Sequence, residues 1–413
     1  MDFLATAGRR KVLFGLLYFS EGAPIGFIWL GMPTRLRAAE VAVDQIAWLM
    51  ALLILPWTFK FLWAPLVDLL RGSSWGFKQW ILLSQALMAA TLLPLLWLDI
   101  RSQVSMVAIW LMLHAFTAAT QDISIDALCI QESQPLERGP LNGWMQCGVL
   151  VGRAAMGGGS LVLEYWIGFP AVVCLLLGLV LCSAVMLIFA RETAWSNLSV
   201  GRATDSPQRF SSRVYAMLRE LVLAMQMGHL WIGLLCALIA PAAFKSLEAM
   251  LGPFLIDRGY SKLQIGQFTS TAMIGGMIVG SLLAGRLANR VSAVIFVAQA
   301  LVCNLLAIVC LALGDILAGQ VAGWHLLVIL TLISVSIGWF TVALYQWLMN
   351  LTSRGLAATQ FTAFMAATNG CEAWSTALLG SLQVRLGYPL SLLLLCGLSA
   401  AVLPLLLRRT KSP

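Results

Sequence analysis

Long apolar runs, separated by short charged or turn-rich segments, fill most of the chain. A bilayer core takes about 20 consecutive apolar residues per helix, so each run of this length predicts a membrane-spanning helix. The twelve runs lie near 12–32, 45–65, 80–98, 104–127, 140–162, 168–190, 225–252, 264–286, 292–313, 324–348, 356–382 and 387–407. The longest polar interruption, residues 191–222, separates the sixth run from the seventh. The pattern therefore predicts an all-α membrane protein with twelve transmembrane helices in two six-helix halves, 1–190 and 223–413, joined by the 191–222 linker.

The composition agrees with a membrane protein and limits the chemistry expected of the cysteines. Of 413 residues, 60% are hydrophobic and 11% are charged, whereas soluble domains carry about 25% charged residues. The nine cysteines lie almost entirely in apolar runs and form no CxxC pair, which favours a role as small packing residues. No small-residue cleavage site follows the first run, so we expect that run to be retained.

The positive charges are distributed as a membrane topology signal. With the N-terminus inside, 17 of the 26 lysines and arginines fall on the cytoplasmic side and 6 on the opposite side. Cytoplasmic loops of membrane proteins carry this excess of lysine and arginine. The bias predicts a multi-pass protein with both termini and the linker in the cytoplasm. It also explains the net charge of +8 without a nucleic-acid partner.

Ionisable residues inside the apolar runs are the first candidates for function, because a charged group in a bilayer is costly and marks a transport path. Glu21, Asp122 and Asp126 are such residues in the first half. Asp122 and Asp126 are four positions apart and share one helix face. Two carboxyl groups on one face repel each other when both are ionised, which suits a proton carrier. The alternative is a helix-end contact with Arg138 or a neighbouring loop.

Arg153 lies in the middle of the fifth run, flanked by glycines that allow close approach of a neighbouring helix or a ligand. An arginine at this depth needs an acidic partner or an anionic ligand. Asp122 and Glu21, in the same half, are the candidate partners. We expect Arg153 to line a cavity, and a purely structural ion pair is the alternative.

The second half carries its own polar set. Lys245 and Glu248 are three positions apart on the seventh run, so they either neutralise each other or belong to the transport path. Glu372 lies in the middle of the eleventh run, with no partner evident from the sequence. Further polar surface is expected from Tyr345, Gln346 and Asn369.

Gly22 and Pro24 interrupt the first apolar run directly after Glu21. Proline removes a helical hydrogen bond and glycine is conformationally permissive. We expect the two to break or bend the helix, so that freed carbonyl groups and Glu21 line a cavity rather than lipid.

Several catalytic motifs are missing from the sequence. It contains no GxxxxGK[ST] phosphate-binding loop, no HExxH and no GxSxG. An ion gradient is therefore the expected energy source, most simply protons because of the buried carboxylates, with sodium as the alternative. We predict no cofactor and no enzymatic activity.

Residues 56–80, PWTFKFLWAPLVDLLRGSSWGFKQW, join the second run to the third. KFLWAPLVD in this stretch, together with YFSEGAPIGF, TQDISIDA and ATQFTAF, resembles the AmpG-like branch of the major facilitator superfamily. The resemblance implies a proton-driven symporter in a bacterial inner membrane, with Asp68 and Lys78 in a cytoplasmic gating loop. Leu69 and Leu70 follow Asp68 where the family commonly has a basic residue, so the loop departs from the usual pattern.

The resemblance covers permeases for several substrates. The compact length and the aromatic-rich runs favour the siderophore permeases of this branch, and we expect a monomer importing a pyochelin-like ferric siderophore. A muropeptide permease of cell-wall recycling is the first alternative. A membrane-embedded acyltransferase is the second, although no histidine or cysteine stands in a recognisable nucleophile–base pair.

Overall fold

The computed structural model describes residues 2–69, 75–133, 135–192, 228–287, 290–351 and 357–408. All regular secondary structure in these ranges is helical, as the apolar pattern predicts. The first part of the chain contains α1 (Ala7–Ala38), α2 (Val43–Leu62), α3 (Ala64–Leu69), α4 (Phe77–Leu96), α5 (Val104–Glu132), α6 (Pro135–Met156), α7 (Gly158–Ile167) and α8 (Phe169–Ile188). The second part contains α9 (Gly228–Ile239), α10 (Ala242–Ala249), α11 (Leu251–Ile256), α12 (Lys262–Leu287), α13 (Ala293–Ala318), α14 (Gly323–Leu351), α15 (Ala357–Ala400) and α16 (Leu403–Arg408).

Ten segments among the described residues are long and apolar enough to cross a membrane. The last of them, Ala363–Leu406, contains both the eleventh and the twelfth predicted runs. The backbone at Gly387 leaves the helical conformation with φ of 73° and separates the two. The predicted run at 140–162 corresponds to α6 and α7, neither of which is among the ten. The difference between ten and twelve therefore lies in how these two regions are divided.

Helix α1 corrects the expected break at Gly22 and Pro24. The α-helix continues through both residues to Gly26. A π-helical turn follows at Phe27–Gly31, and α-helix resumes at Met32. The wider turn comes after Pro24, which lacks the amide of a regular helical turn. The predicted break at Gly22 and Pro24 is therefore wrong, whereas the predicted bend stays a prediction. The irregularity lies a few residues further along the helix.

Glycines bring α1 and α6 unusually close together. A Cβ atom at Gly22 would collide with the backbone of Val149, and one at Gly148 would collide with the backbone of Gly15. A Cβ at Gly152 would likewise meet the backbone of Phe19. Small residues allow such backbone contact between membrane helices. Gly22 therefore serves packing, and this contact fixes the helix that carries Tyr18 and Glu21.

The chain forms two compact units. Unit 1 takes the described residues of 1–32 and 59–217, and unit 2 takes those of 33–58 and 218–413. The predicted halves, 1–190 and 223–413, differ because residues 33–58 group with unit 2. The described part of the chain omits residues 193–227, which include most of the predicted linker. The division into two six-helix halves stays a prediction.

Unit 2 holds residues 33–58 through close contacts and an ion pair. A Cβ at Gly252 would collide with Thr34, and a Cβ at Gly380 would collide with Ala47. The guanidinium of Arg37 pairs with Asp257 at 2.5 Å. At the neighbouring position, Arg258 forms a buried pair with Asp315, with one hydrogen bond of 2.8 Å.

Candidate functional site

The centre of the candidate site in unit 1 is an ion pair between α2 and α5. The Lys60 ammonium pairs with Asp122 Oδ2, and the two side chains are 23% and 10% exposed. A charged side chain with so little solvent exposure requires an opposite charge nearby, because an isolated charge in a bilayer is costly. Lys60 is therefore the counterion of Asp122. The alternative interpretation, a contact of the aspartates with Arg138, involves a side chain outside the described part of the structure.

Tyr18 links the two aspartates of α5. Its hydroxyl donates to Asp126 Oδ1 at 2.5 Å and lies 3.4 Å from Asp122 Oδ1. The ring is held in an apolar cluster with Leu17, Ile125 and other buried residues of unit 1. The shared helix face predicted for Asp122 and Asp126 is thus confirmed, and α1 supplies the group that bridges them.

Glu21 lies one helical turn beyond Tyr18 and is 3% exposed. It interacts electrostatically with Asp122, Lys60 and Asp126. Its Oε2 atom has no hydrogen-bond partner among the described residues. Among the described residues, these three carboxyl groups interact with the Lys60 ammonium. Burying several ionised carboxylates beside one cation is unfavourable, so an arrangement of this kind can accept protons.

Gln121 is a second buried polar group at this depth. Its side chain is fully buried, and neither its amide nitrogen nor its oxygen has a hydrogen-bond partner in the described part of the chain. A buried amide without partners costs free energy unless a ligand or water satisfies it. It lies next to Asp122 in the sequence, on the neighbouring face of α5.

Unit 2 has its own buried lysine pair. Lys245 Nζ lies 2.7 Å from Glu372 Oε2, joining α10 to α15. Glu248 and Tyr345 interact electrostatically with this lysine. The direct partner of Lys245 is therefore Glu372, across 127 positions of sequence, rather than the neighbouring Glu248.

The remaining polar candidates of unit 2 lie on α14 and α15. Gln346 is next to Tyr345 and its Oε1 atom has no hydrogen-bond partner among the described residues. Asn369 lies on α15, three positions before Glu372, and is half-buried. Asn369 is close to Glu372 in the sequence, whereas Tyr345 is connected to the pair by its electrostatic interaction with Lys245. The roles of these residues stay predictions.

Arg153 lies on α6, the helix whose glycines pack against α1. Its predicted partner Asp122 is instead paired with Lys60. The close helix approach expected around Arg153 is confirmed by the contacts of Gly148 and Gly152. A cavity role for Arg153 stays a prediction.

The predicted gating loop falls partly outside the described residues, and the side chain of Asp68 is among the parts not described. Lys78 Nζ donates to the carbonyl groups of Ile188 at 2.8 Å and Ala190 at 2.7 Å. Glu192 accepts hydrogen bonds from the backbone amides of Phe77 and Lys78 at 3.0 and 2.9 Å. Lys78 thus binds the end of α8, while Glu192 caps the start of α4.

Sequence reasoning missed Tyr18, Lys60 and Gln121 as site residues. Tyr18 precedes Glu21 by three positions, which places both on one helix face. Lys60 was an unmatched cation at the end of an apolar run. The spacing from Glu21 could have identified Tyr18, and the position in an apolar run could have identified Lys60. The lack of hydrogen-bond partners at Gln121 is visible only in the structure.

The described residues contain no group of three or more His, Cys, Asp or Glu side chains placed to hold a metal ion. The three carboxyl groups of the unit 1 cluster lie beside the Lys60 ammonium. Their chemistry is that of ion pairing, hydrogen bonding and proton exchange.

Comparison with known families identifies the chain. The family model described as Major Facilitator Superfamily matches residues 14–376. The chain belongs to this superfamily. It is therefore a multi-pass membrane transporter, as its helices and buried ion pairs suggest.

Its curated relatives narrow the branch. The chain is 24% identical over 289 residues to the anhydromuropeptide permease of Escherichia coli K12, covering 68% of this chain and 56% of the relative. It is 22% identical over 407 residues to the transporter named AmpG 4 of Rickettsia conorii, covering 90% of each chain. The chain thus spans just over half the length of the E. coli permease. The relatives support the AmpG-like branch and give no support to the siderophore permease affiliation.

Solved transporter structures share the fold. The D-xylose–proton symporter matches with a TM-score of 0.73 at 10% identity, covering 96% of this chain and 95% of the symporter. The peptide transporter POT matches with a TM-score of 0.69 at 12% identity, covering 96% and 94% of the two chains. At these identities the likeness establishes the major facilitator fold alone.

Proposed function

We propose that this protein is a proton-coupled importer of anhydromuropeptides in a bacterial inner membrane. This assignment favours the muropeptide alternative over the ferric siderophore, because the named relatives are muropeptide permeases or AmpG transporters. The protein would act as a monomer by alternating access between the two membrane faces. Both termini and the 191–222 linker would lie in the cytoplasm, as the charge bias predicts.

The observation that carries proton coupling is the cluster of unit 1. In the described part of unit 1, Glu21, Asp122 and Asp126 interact with the Lys60 ammonium inside membrane-spanning helices. The three acids outnumber this lysine, and protonation is the simplest way to balance the excess negative charge beside it. Proton uptake from one side and release to the other would then drive the cycle.

Unit 2 contributes the Lys245–Glu372 pair and its polar neighbours to substrate binding in this proposal. Muropeptides carry sugar hydroxyl groups, amides and carboxylates, which require hydrogen-bonding and cationic partners. The hydrogen-bonding partners in this proposal are Glu248, Tyr345, Gln346 and Asn369. The cationic partner is Lys245. Arg153 of unit 1 is a further cationic candidate.

Uptake by cells tests the substrate assignment. A strain deleted for this gene is supplied in parallel with radiolabelled anhydromuropeptide and with a radiolabelled iron–pyochelin complex. We expect the plasmid-borne protein to restore accumulation of the anhydromuropeptide only. Restored accumulation of iron–pyochelin without the anhydromuropeptide would refute the proposal.

A further inference from the structure

The hydroxyl of Tyr18 stands between two carboxyl groups that differ in their other partners. It donates to Asp126 Oδ1 at 2.5 Å, and Asp122 Oδ1 is 3.4 Å away. The second oxygen of Asp122 pairs with the Lys60 ammonium. A phenol has one hydrogen to donate, so Tyr18 serves one aspartate at a time.

We propose that Tyr18 is a positioning residue that couples protonation of Asp126 to release of Lys60 from Asp122, freeing the ammonium for a carboxylate of the substrate. This inference rests on the proposed function, because it deepens proton-coupled import at the same site. It adds two residues to the path, Tyr18 and Lys60, and one chemical group of the ligand.

We call the exchange of hydrogen bonds among Asp126, Tyr18 and Asp122 the relay. It transfers one proton and makes or breaks no other covalent bond. When Asp126 is ionised, it accepts the Tyr18 hydrogen. A proton from the aqueous phase then binds to Asp126, and the neutral acid donates to the phenol oxygen. The Tyr18 hydrogen turns to Asp122 Oδ1, which now has a second donor and holds Lys60 less tightly. Loss of the proton from Asp126 to the opposite side reverses each step.

The charges around the relay fix the sign of its pH dependence. Tyr18 and Glu21 face it from α1, Lys60 from α2, and Asp122 and Asp126 from α5, while α6 packed on α1 carries Arg153. An anionic ligand group near Lys60 is repelled by each ionised carboxylate. Protonation of Asp126 removes one of these charges and releases the ammonium. A ligand carboxylate therefore binds more tightly at low pH.

Two probes test the ligand group on the purified full chain. One is an anhydromuropeptide with free carboxylates, and the other is the same compound with its carboxylates amidated. For the wild type we expect the Kd of the acid to rise by up to about tenfold per pH unit once Asp126 loses its proton, the limit for one linked proton. The Kd of the amidated compound stays nearly constant.

Tyr18→Phe removes the hydrogen and keeps the ring packing. We expect the pH slope for the acid probe to fall clearly below that of the wild type, because only the charge of Asp126 still acts on the ligand. Binding at low pH should weaken about tenfold, the loss of one hydrogen bond to a charged group. Tyr165→Phe is the control, because Tyr165 is 66% exposed, and it retains the wild-type slope. A wild-type slope in Tyr18→Phe would overturn the relay.

A ligand-free measurement separates the relay from the substrate assignment. Infrared spectra of protein with ring-labelled tyrosine are recorded during acidification. We expect the tyrosine C–O band to shift in the wild type, but not in Tyr18→Phe or Asp126→Asn. If the band shifts and neither probe binds, the relay stands and the anhydromuropeptide assignment fails. If no band depends on both Tyr18 and Asp126, the relay is wrong whatever the substrate.

Discussion

Among the described residues, each unit has a partly buried lysine–carboxylate pair in its membrane-spanning helices, yet the two pairs have different surroundings. Lys60 of unit 1 is shared by three carboxyl groups, and Tyr18 bridges two of them. Lys245 of unit 2 pairs with Glu372 and has Glu248 as its other acidic neighbour. Similar exposure, 23% for Lys60 and 24% for Lys245, makes the comparison direct.

The difference lies in the surplus of acids over cations. Unit 1 has two carboxyl groups beyond the one that Lys60 balances, whereas the unit 2 cluster has one beyond Lys245. Surplus buried acids are neutral unless a cation joins them. In the proposed function, the unit 1 cluster therefore takes up protons and receives a ligand carboxylate at Lys60, while the polar neighbours of Lys245 in unit 2 bind other groups of the ligand.

The largest effect is expected from removing the cation of unit 1. Lys60→Met removes the ammonium that pairs with Asp122, and we expect loss of uptake and a free energy of unfolding lower by about 3–5 kcal/mol. Lys245→Met is the matched variant, and its smaller acid surplus predicts a smaller loss. Thermal unfolding in detergent measures both. Equal losses would remove the distinction between the two clusters.

A structural ion pair supplies the next contrast. Arg258 and Asp315 of unit 2 are 6% and 1% exposed at the side chain and lie away from both lysines in the sequence. We expect Asp315→Asn to lower the free energy of unfolding by about 3 kcal/mol, because it leaves the arginine charge uncompensated. The pH dependence of uptake by the folded fraction should stay that of the wild type. A shifted pH profile would show that coupling extends beyond the lysine clusters.

Replacing the acids of unit 1 by their amides tests which of them pairs with Lys60. Asp122→Asn removes the carboxyl group that pairs with Lys60, and we expect the free energy of unfolding to fall by about 2 kcal/mol, typical of a hydrogen bond to a charged group. Glu21→Gln resembles the protonated acid, so its stability should change by less than about 0.5 kcal/mol. Melting curves compare the two directly. The reverse order would make Glu21 the ionised member of the cluster.

The smallest effect concerns the start of α4. Glu192→Gln keeps a hydrogen-bond acceptor at the amides of Phe77 and Lys78 but removes the charge that the helix N-terminus favours. We expect the stabilisation of the helix N-terminus to fall by about 0.5–1 kcal/mol, with uptake little changed. Hydrogen exchange at the amides of Phe77 and Lys78 measures this loss. Unchanged protection would mean that the carboxylate charge contributes nothing there.

The sequence was a good guide to the fold because twenty-residue apolar runs have one main solution in a bilayer. It also identified the acids of both clusters, since ionisable residues stand out in such runs. It could not pair them: Lys60 and Asp122 are 62 positions apart, and Lys245 and Glu372 are 127 apart. Partners brought together by helix packing leave no local pattern.

The helix break predicted in α1 from glycine and proline alone was wrong. Gly22 and Pro24 are helix breakers in water, but the helix continues through both to Gly26. Membrane helices tolerate such residues because neighbouring groups and small adjustments of the helix satisfy the backbone. Glycine is required at position 22 because the backbone of Val149, on another helix, leaves no room for a Cβ atom. Only the packed structure reveals that contact.

The most direct test is uptake of radiolabelled anhydromuropeptide into proteoliposomes under an imposed pH gradient, with the wild type, Asp126→Asn and Glu372→Gln compared. We expect the wild type to concentrate the substrate and Asp126→Asn to equilibrate it without accumulation while retaining counterflow exchange. Glu372→Gln should lose counterflow and accumulation together, because it disturbs substrate binding. Normal accumulation by Asp126→Asn, or wild-type uptake indifferent to the gradient, would contradict a proton path through unit 1.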